Sequence, residues 1–378
     1  MMRLFLYELK RIWSWQVLML IFFVNIFLNH FIISFDIDYF PNGQPDTQLY
    51  EIGEKIIPMF GSKIDAKEYE QLEQMYEEEV KKANAFLSND PEARKLHLDT
   101  YEKLGNIDFN DEQAYTYYDE VFSELNKEVA LNLQAYEIYM DIYKEREDDL
   151  TTSLGWGPSQ QQKLHKLADE QKHASYTDIA IKNFDAYKMN VAVVIFLSII
   201  ILLSPVFMRD KMANVVAIQY TTKKGRRSYR IKWLAGLVSG FVMTLLLIVS
   251  YTIPYLGNHL ENYYNLPLST FAWYYSWYDL TFIDYIWLSV GVVIVLSILL
   301  SILTLTISTI VQNMSALIGV QIVVAFLMIM VGAVFIVQEL IKLQYMQYAV
   351  PATFIGFAII VIVSARSAWT HEMKRDIV

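Results

Sequence analysis

The 378-residue chain contains no cysteine. A disulfide framework, a thiolate metal site, a thiol nucleophile and a palmitoylation site are thereby excluded. The G-x-x-x-x-G-K-[ST] phosphate loop, the G-x-S-x-G nucleophile elbow and the H-E-x-x-H zinc motif are missing as well. Nothing recognisable in the chain hydrolyses a nucleotide, an ester or a peptide, so active transport would have to draw on a partner or an ion gradient. Acidic side chains are nearly absent from the long apolar runs, with Glu339 at the edge of one. Such residues are the usual mark of proton or sodium coupling, and their scarcity weighs against a gradient-driven mechanism. His165 and His173 stand eight apart among lysines, a poor spacing for a metal site. Asp36 and Asp38 open like a calcium loop, but Phe40 and Pro41 follow where more oxygen ligands are needed.

What the chain has in abundance is apolar sequence, 54% of all residues. It is concentrated in six runs, at 16–35, 191–208, 233–256, 285–310, 316–338 and 348–366. Each is long enough to cross a hydrocarbon core of roughly 30 Å as a helix. The fold class expected is all-α: a polytopic membrane protein of six transmembrane helices, with an extracytoplasmic helical domain between the first and second. The first run is read as a retained membrane helix, because it is long and no A-x-A-like cleavage site follows.

Charge separates two environments. Residues 36–190 hold 33 of the 41 acidic and 16 of the 31 basic residues, a balance of −17 against +7 for the remainder. Positive charge marks the cytoplasmic side. Arg3, Lys10 and Arg11 precede the first run, eight bases lie in 209–232 against Asp210 alone, and Arg366, Lys374 and Arg375 close the chain. The loops at 36–190 and 257–284 are acidic. Every loop therefore agrees with one topology, termini inside and the acidic domain outside.

Within that domain, residues 65–88 read as a helix, and Asn89-Asp90-Pro91 as a stop and restart. Tyr115, Tyr118, Phe122, Leu125, Val129, Leu133, Tyr136, Met140 and Tyr143 recur at three- and four-residue steps. As one helix that stripe would be roughly 42 Å long. Gly155-Trp156-Gly157-Pro158 breaks the pattern, and a last helix over about 159–188 is expected to run into the second span.

The inward loop 209–232 leaves the membrane with Asp210, continues through an amphipathic stretch (Val215, Val216, Ile218, Gln219) and a Thr221-Thr222 turn, and re-enters behind Gly225, Arg226 and Lys232. In these residues the chain resembles the permease subunits of type-2 ABC exporters, which have six spans, both ends inside, and a loop of this order between spans two and three. Asp210 stands where that family usually has Glu, and Ala213-Asn214 replaces its usual Gly-Thr. The opening 1–15, with Leu4, Phe5, Leu6, Leu9 and Ile12 against Arg3, Glu8, Lys10 and Arg11, resembles the family's amphipathic interface helix. The likeness covers the N-terminus and the six-span plan but not 36–190.

The resemblance implies a coupling helix at about 210–222, with Asp210, Asn214, Gln219, Tyr220, Thr221, Thr222, Gly225, Arg226 and Lys232 as the ATPase-coupling residues. It implies no cofactor on this chain, ATP and Mg on a separate cytoplasmic ABC ATPase present in two copies, and a second permease chain, identical or paralogous. Membrane lipids are expected partners and nucleic acid is not; the expected location is a bacterial plasma membrane. Candidates for a pathway lining or for helix packing are Asn25 and Asn29 in the first span, Gly236 and Gly240 in the third, and Ser297, Ser301, Thr304 and Ser308 in the fourth. The aromatic-rich loop 257–284 suits an interfacial belt or a half-inserted segment. Two functions stay open: an exporter subunit for an amphipathic substrate (a peptide, lipid or drug), with a cationic peptide favoured by the acidic domain, and a sensor or immunity scaffold that binds a ligand outside without transport.

Overall fold

The computed structural model describes residues 2–374 apart from 126, 152–155, 217, 219–224 and 226; the side chains of 124, 125, 149 and 151 are also outside the described set. The described residues form helices, turns and two isolated bridges, with no strand among them. Six helices are long and apolar enough to cross a membrane: Trp15–Asp38, Ile179–Met212, Arg227–Asn258, Phe282–Ile310, Met314–Gln338 and Ala349–Lys374. They are called the first to sixth spans below. The chain divides into two compact units.

One unit comprises Met1–Asp38, Phe184–His259 and Ile283–Val378. Helix Met2–Ile12 packs along the third span. Its covered side holds Glu8 and Ile12, while Met2, Leu6 and Tyr7 stay exposed. The second span is the most enclosed; the first and sixth leave Phe22, Phe23, Phe27, Phe31, Ile359, Ile360 and Val363 uncovered. So much bare apolar surface on long helices suits a lipid solvent and not water. A tight turn joins the fourth and fifth spans, where the Asn313 side chain caps the next helix by accepting from the Ala316 N–H at 2.8 Å. Asn29–Ile33 and Met328–Gln338 are π-helical stretches within the first and fifth spans.

The second unit, Tyr39–Asn183 with Leu260–Phe282, is helical and carries its own core. Helix Ala66–Asn89 opens on a capping box between Asp65 and Glu68. Asp90 then caps Pro91–Lys95 by accepting from the Glu92 N–H, with Pro91 at the first helical position. The 115–143 stripe is helical over its described residues, but not uniformly α: Glu112–Glu120 passes into a π-helical turn, Val121–Leu125, and Lys127–Thr151 follows, with residue 126 outside the described set. Lys127–Thr151 packs against Ala66–Asn89, Asp46–Phe60 and Pro158–Asp169. It therefore buries Ala130, Leu131, Ala135, Tyr139 and Ile142 besides the expected Leu133 and Tyr136. The helix expected over 159–188 is interrupted: Pro158–Asp169 ends, and the next helix starts at Ile179.

Leu260–Phe282, most of the aromatic loop, belongs to this unit. Its Thr270 carbonyl accepts from the Ser175 and Tyr176 N–H groups at 2.8 and 2.9 Å, and the Ala272 N–H donates to the Tyr176 carbonyl at 2.7 Å. Asp279 pairs with Lys163 and Lys172, each at 3.0 Å. Gly53 faces the hydroxyls of Tyr139 and Tyr263, and any side chain there would collide with both.

Candidate functional site

The sequence puts Asp210 at the end of the second span and Lys232 in the first turns of the third. The fold brings both side chains together, buried, in direct ion-pair contact. Arg11, from the amphipathic helix, reaches the other oxygen of Asp210 at 2.6 Å, and Glu8 lies 3.8 Å from Arg11. Two carboxylates and two cations thus make a cluster with no net charge, which is what allows it to leave water. Neighbouring contacts tighten the junction. Arg209 donates to the Arg11 carbonyl at 2.6 Å and to the Ser14 hydroxyl at 3.0 Å. The Trp13 indole N–H donates to the Ser239 hydroxyl at 3.0 Å. Lys211 donates to the Ser308, Thr309 and Val311 carbonyls, capping the end of the fourth span.

Among the described residues the arrangement gathers no group of side chains that could hold a metal ion. Mechanically, it fastens the amphipathic helix to the adjoining ends of the second and third spans, so a push on one is carried to the others. Of the remaining interface-helix candidates, Phe5 is half-buried, and Arg3 and Lys10 are exposed. Asn214 and Gly225 both have positive φ, 53° and 37°, the turns that leave and re-enter this region. Gln219, Tyr220, Thr221, Thr222 and Arg226 lie outside the described residues, as does residue 217, so the second half of the 210–222 segment is largely undescribed. Asp210 itself sits within the helix that ends the second span.

The small and polar candidates meet one another. Gly240 faces Ser301, and Gly236 lies against the Leu305 side chain, so the third and fourth spans approach closely through the G-x-x-x-G. Ser297, Ser301, Thr304 and Ser308 are all buried. Ser301 donates back to the Ser297 carbonyl, and Ser308 donates to the Ser204 carbonyl at 2.7 Å. In the first span the Asn25 amide donates to the Ser198 hydroxyl at 2.9 Å and accepts from the Tyr251 hydroxyl at 3.0 Å. Asn29 opens the π-helical turn.

Two features escape the sequence reading. Aromatic rings of Phe207, Tyr229, Trp233 and Trp369 cluster beside the charged junction and draw in the sixth span. A second charged network lies where the second span begins. Asp185 accepts from the Tyr285 hydroxyl at 2.6 Å and pairs with Lys188 at 2.9 Å and Lys342 at 3.2 Å; Lys342 also meets Glu339 at 3.3 Å. Asp36, the failed calcium-loop residue, is buried at the first span's end and accepts from the Asn190 amide at 2.8 Å. The i,i+3 spacing of Asp185 and Lys188 just ahead of an apolar run was the available signal.

Comparison with known proteins finds no matching family model, no matching curated protein and no matching solved structure.

Proposed function

We propose that the chain is the membrane-spanning subunit of an ATP-driven exporter of the type-2 ABC kind, powered by a separate cytoplasmic ATPase and completed by a second permease chain. The observation that carries this reading is the Glu8–Arg11–Asp210–Lys232 junction. A motor without its own ATP site must receive force through a stiff element on its inward side, and here an amphipathic helix is clamped to two spans by buried charges. The basic balance outside 36–190 and the acidic balance within it support a topology with the termini in the cytoplasm and the helical unit outside a plasma membrane. The substrate class is an amphipathic molecule, with a cationic peptide favoured by the charge of that unit.

Co-purification tests this. Tagged protein should bring down a nucleotide-binding subunit and stimulate its ATP hydrolysis. Arg11→Gln, which removes the helix's ion pair with Asp210 but leaves the Asp210–Lys232 pair intact, should keep the fold and lower the stimulated rate about tenfold, the effect of roughly 1.4 kcal/mol of lost coupling. Recovery of an outer-unit ligand with no ATPase would favour the sensor or immunity scaffold and end the exporter reading.

A further inference from the structure

The helical unit carries an open cleft of about 640 Å³, within the roughly 300–1,000 Å³ range of small-molecule sites. Four rings line it: Tyr76, Tyr101, Tyr118 and Phe122. Among them lies Glu137, half-buried, whose Oε1 accepts from the Tyr76 hydroxyl at 2.9 Å and the Tyr101 hydroxyl at 3.1 Å. Tyr118 and Phe122 pack ring on ring with centroids 4.4 Å apart. Elsewhere in the unit the buried carboxylates Glu79 and Asp178 each hold a lysine, Lys82 at 2.5 Å and Lys182 at 2.7 Å. Among the described residues Glu137 has no such ion pair, although Lys81 lines the same cleft; Glu77 and Glu102 add further negative charge.

A partly desolvated carboxylate without an ion pair, in a cleft lined by four aromatic rings whose quadrupoles favour positive charge, suits a cationic ligand. A metal ion fits poorly, because among the described residues no three carboxylate or imidazole side chains converge to hold one. A guanidinium fits less well than an ammonium, because its fork needs both carboxylate oxygens and Oε1 already serves two hydroxyls. We propose that this cleft binds an organic cation through an alkylated ammonium group, with Glu137 supplying the countercharge and the four rings the apolar, cation-attracting walls. The site lies wholly within the helical unit and holds whether or not an ATPase associates with the spans.

The test is calorimetric titration of choline into the full-length, detergent-solubilised protein at low salt, with 3,3-dimethylbutan-1-ol as the uncharged molecule of the same shape. Choline should bind saturably and more weakly as salt rises, and the alcohol should not bind. Glu137→Gln and Tyr118→Leu should each weaken choline binding about tenfold or more. Phe122→Leu, which keeps Glu137 and both its tyrosine partners, should do the same and serves if another variant unfolds. Absence of saturable choline binding, equal binding of the alcohol, or undiminished affinity in the folded variants overturns the assignment.

Discussion

Buried charges in this protein persist where another charge meets them. Asp210 would be untenable alone; with Lys232 and Arg11 it becomes a fastening. His173 shows the opposite case. Its Nδ1 is buried without a partner among the described residues. Burial first, then the charges of Arg146 and Lys63, hold its imidazole pKa below the ordinary 6.5, against the pull of Glu147 and a backbone hydrogen bond at Arg146. The folded form therefore binds a proton less readily than the unfolded chain, so stability falls as pH drops through and below 6.5. The difference in thermal midpoint between wild type and His173→Gln should narrow or reverse from pH 7.5 to pH 5, to the variant's advantage. A constant difference across that range would contradict it. At this scale the sequence was partly readable. Asp210 and Lys232 stand out because apolar runs flank them. Asp185 and Lys188 do not, because they share the 36–190 segment with thirty-two other acids and read as more of the same solvated surface.

Helices here are longer than their apolar runs. The second span reads as 191–208 in hydropathy, yet the helix extends from Ile179 to Met212. Hydropathy stops at polar side chains, whereas the helix continues because Asp185, Lys188 and Asn190 find partners and keep their backbone hydrogen bonds. The 115–143 stripe hides a local change of another kind. Its three- and four-residue spacing is compatible with an unbroken helix, and nothing in the period marks the π turn at Val121–Leu125. The G-x-x-x-G was legible as a packing signal, but its partner required the fold. A Cβ at Gly240 would collide with Ser301 Oγ and lie 3.1 Å from Ser301 Cβ and 3.3 Å from Leu203. Gly240→Ala should therefore cost about 1–3 kcal/mol through overpacking. Gly291→Ala, where a Cβ meets open space, should be neutral or slightly stabilising. Thermal unfolding in detergent measures both; equal midpoints would mean the two spans do not pack through this glycine.

Across the whole molecule, charge and hydropathy divide the chain much as the compact units do, with one exception. Leu260–Phe282 joins the helical unit although 76 residues separate it from Asn183, the end of that unit's main segment. Its aromatic content reads equally as a membrane belt, and backbone pairing with Ser175 and Tyr176, together with the Asp279 ion pairs, decides its company. The six-span plan and the acidic insertion were legible because they follow from composition over long windows. The direction in which the insertion faces is proposed from the loop charges, and it is the claim on which the exporter reading depends. The absence of cysteine makes it directly measurable. Single-cysteine variants Asn110→Cys and His371→Cys, both at exposed positions, can be treated in intact cells with a membrane-impermeant maleimide. The account predicts labelling at 110 in intact cells, and at 371 only after permeabilisation. The reverse pattern would contradict it.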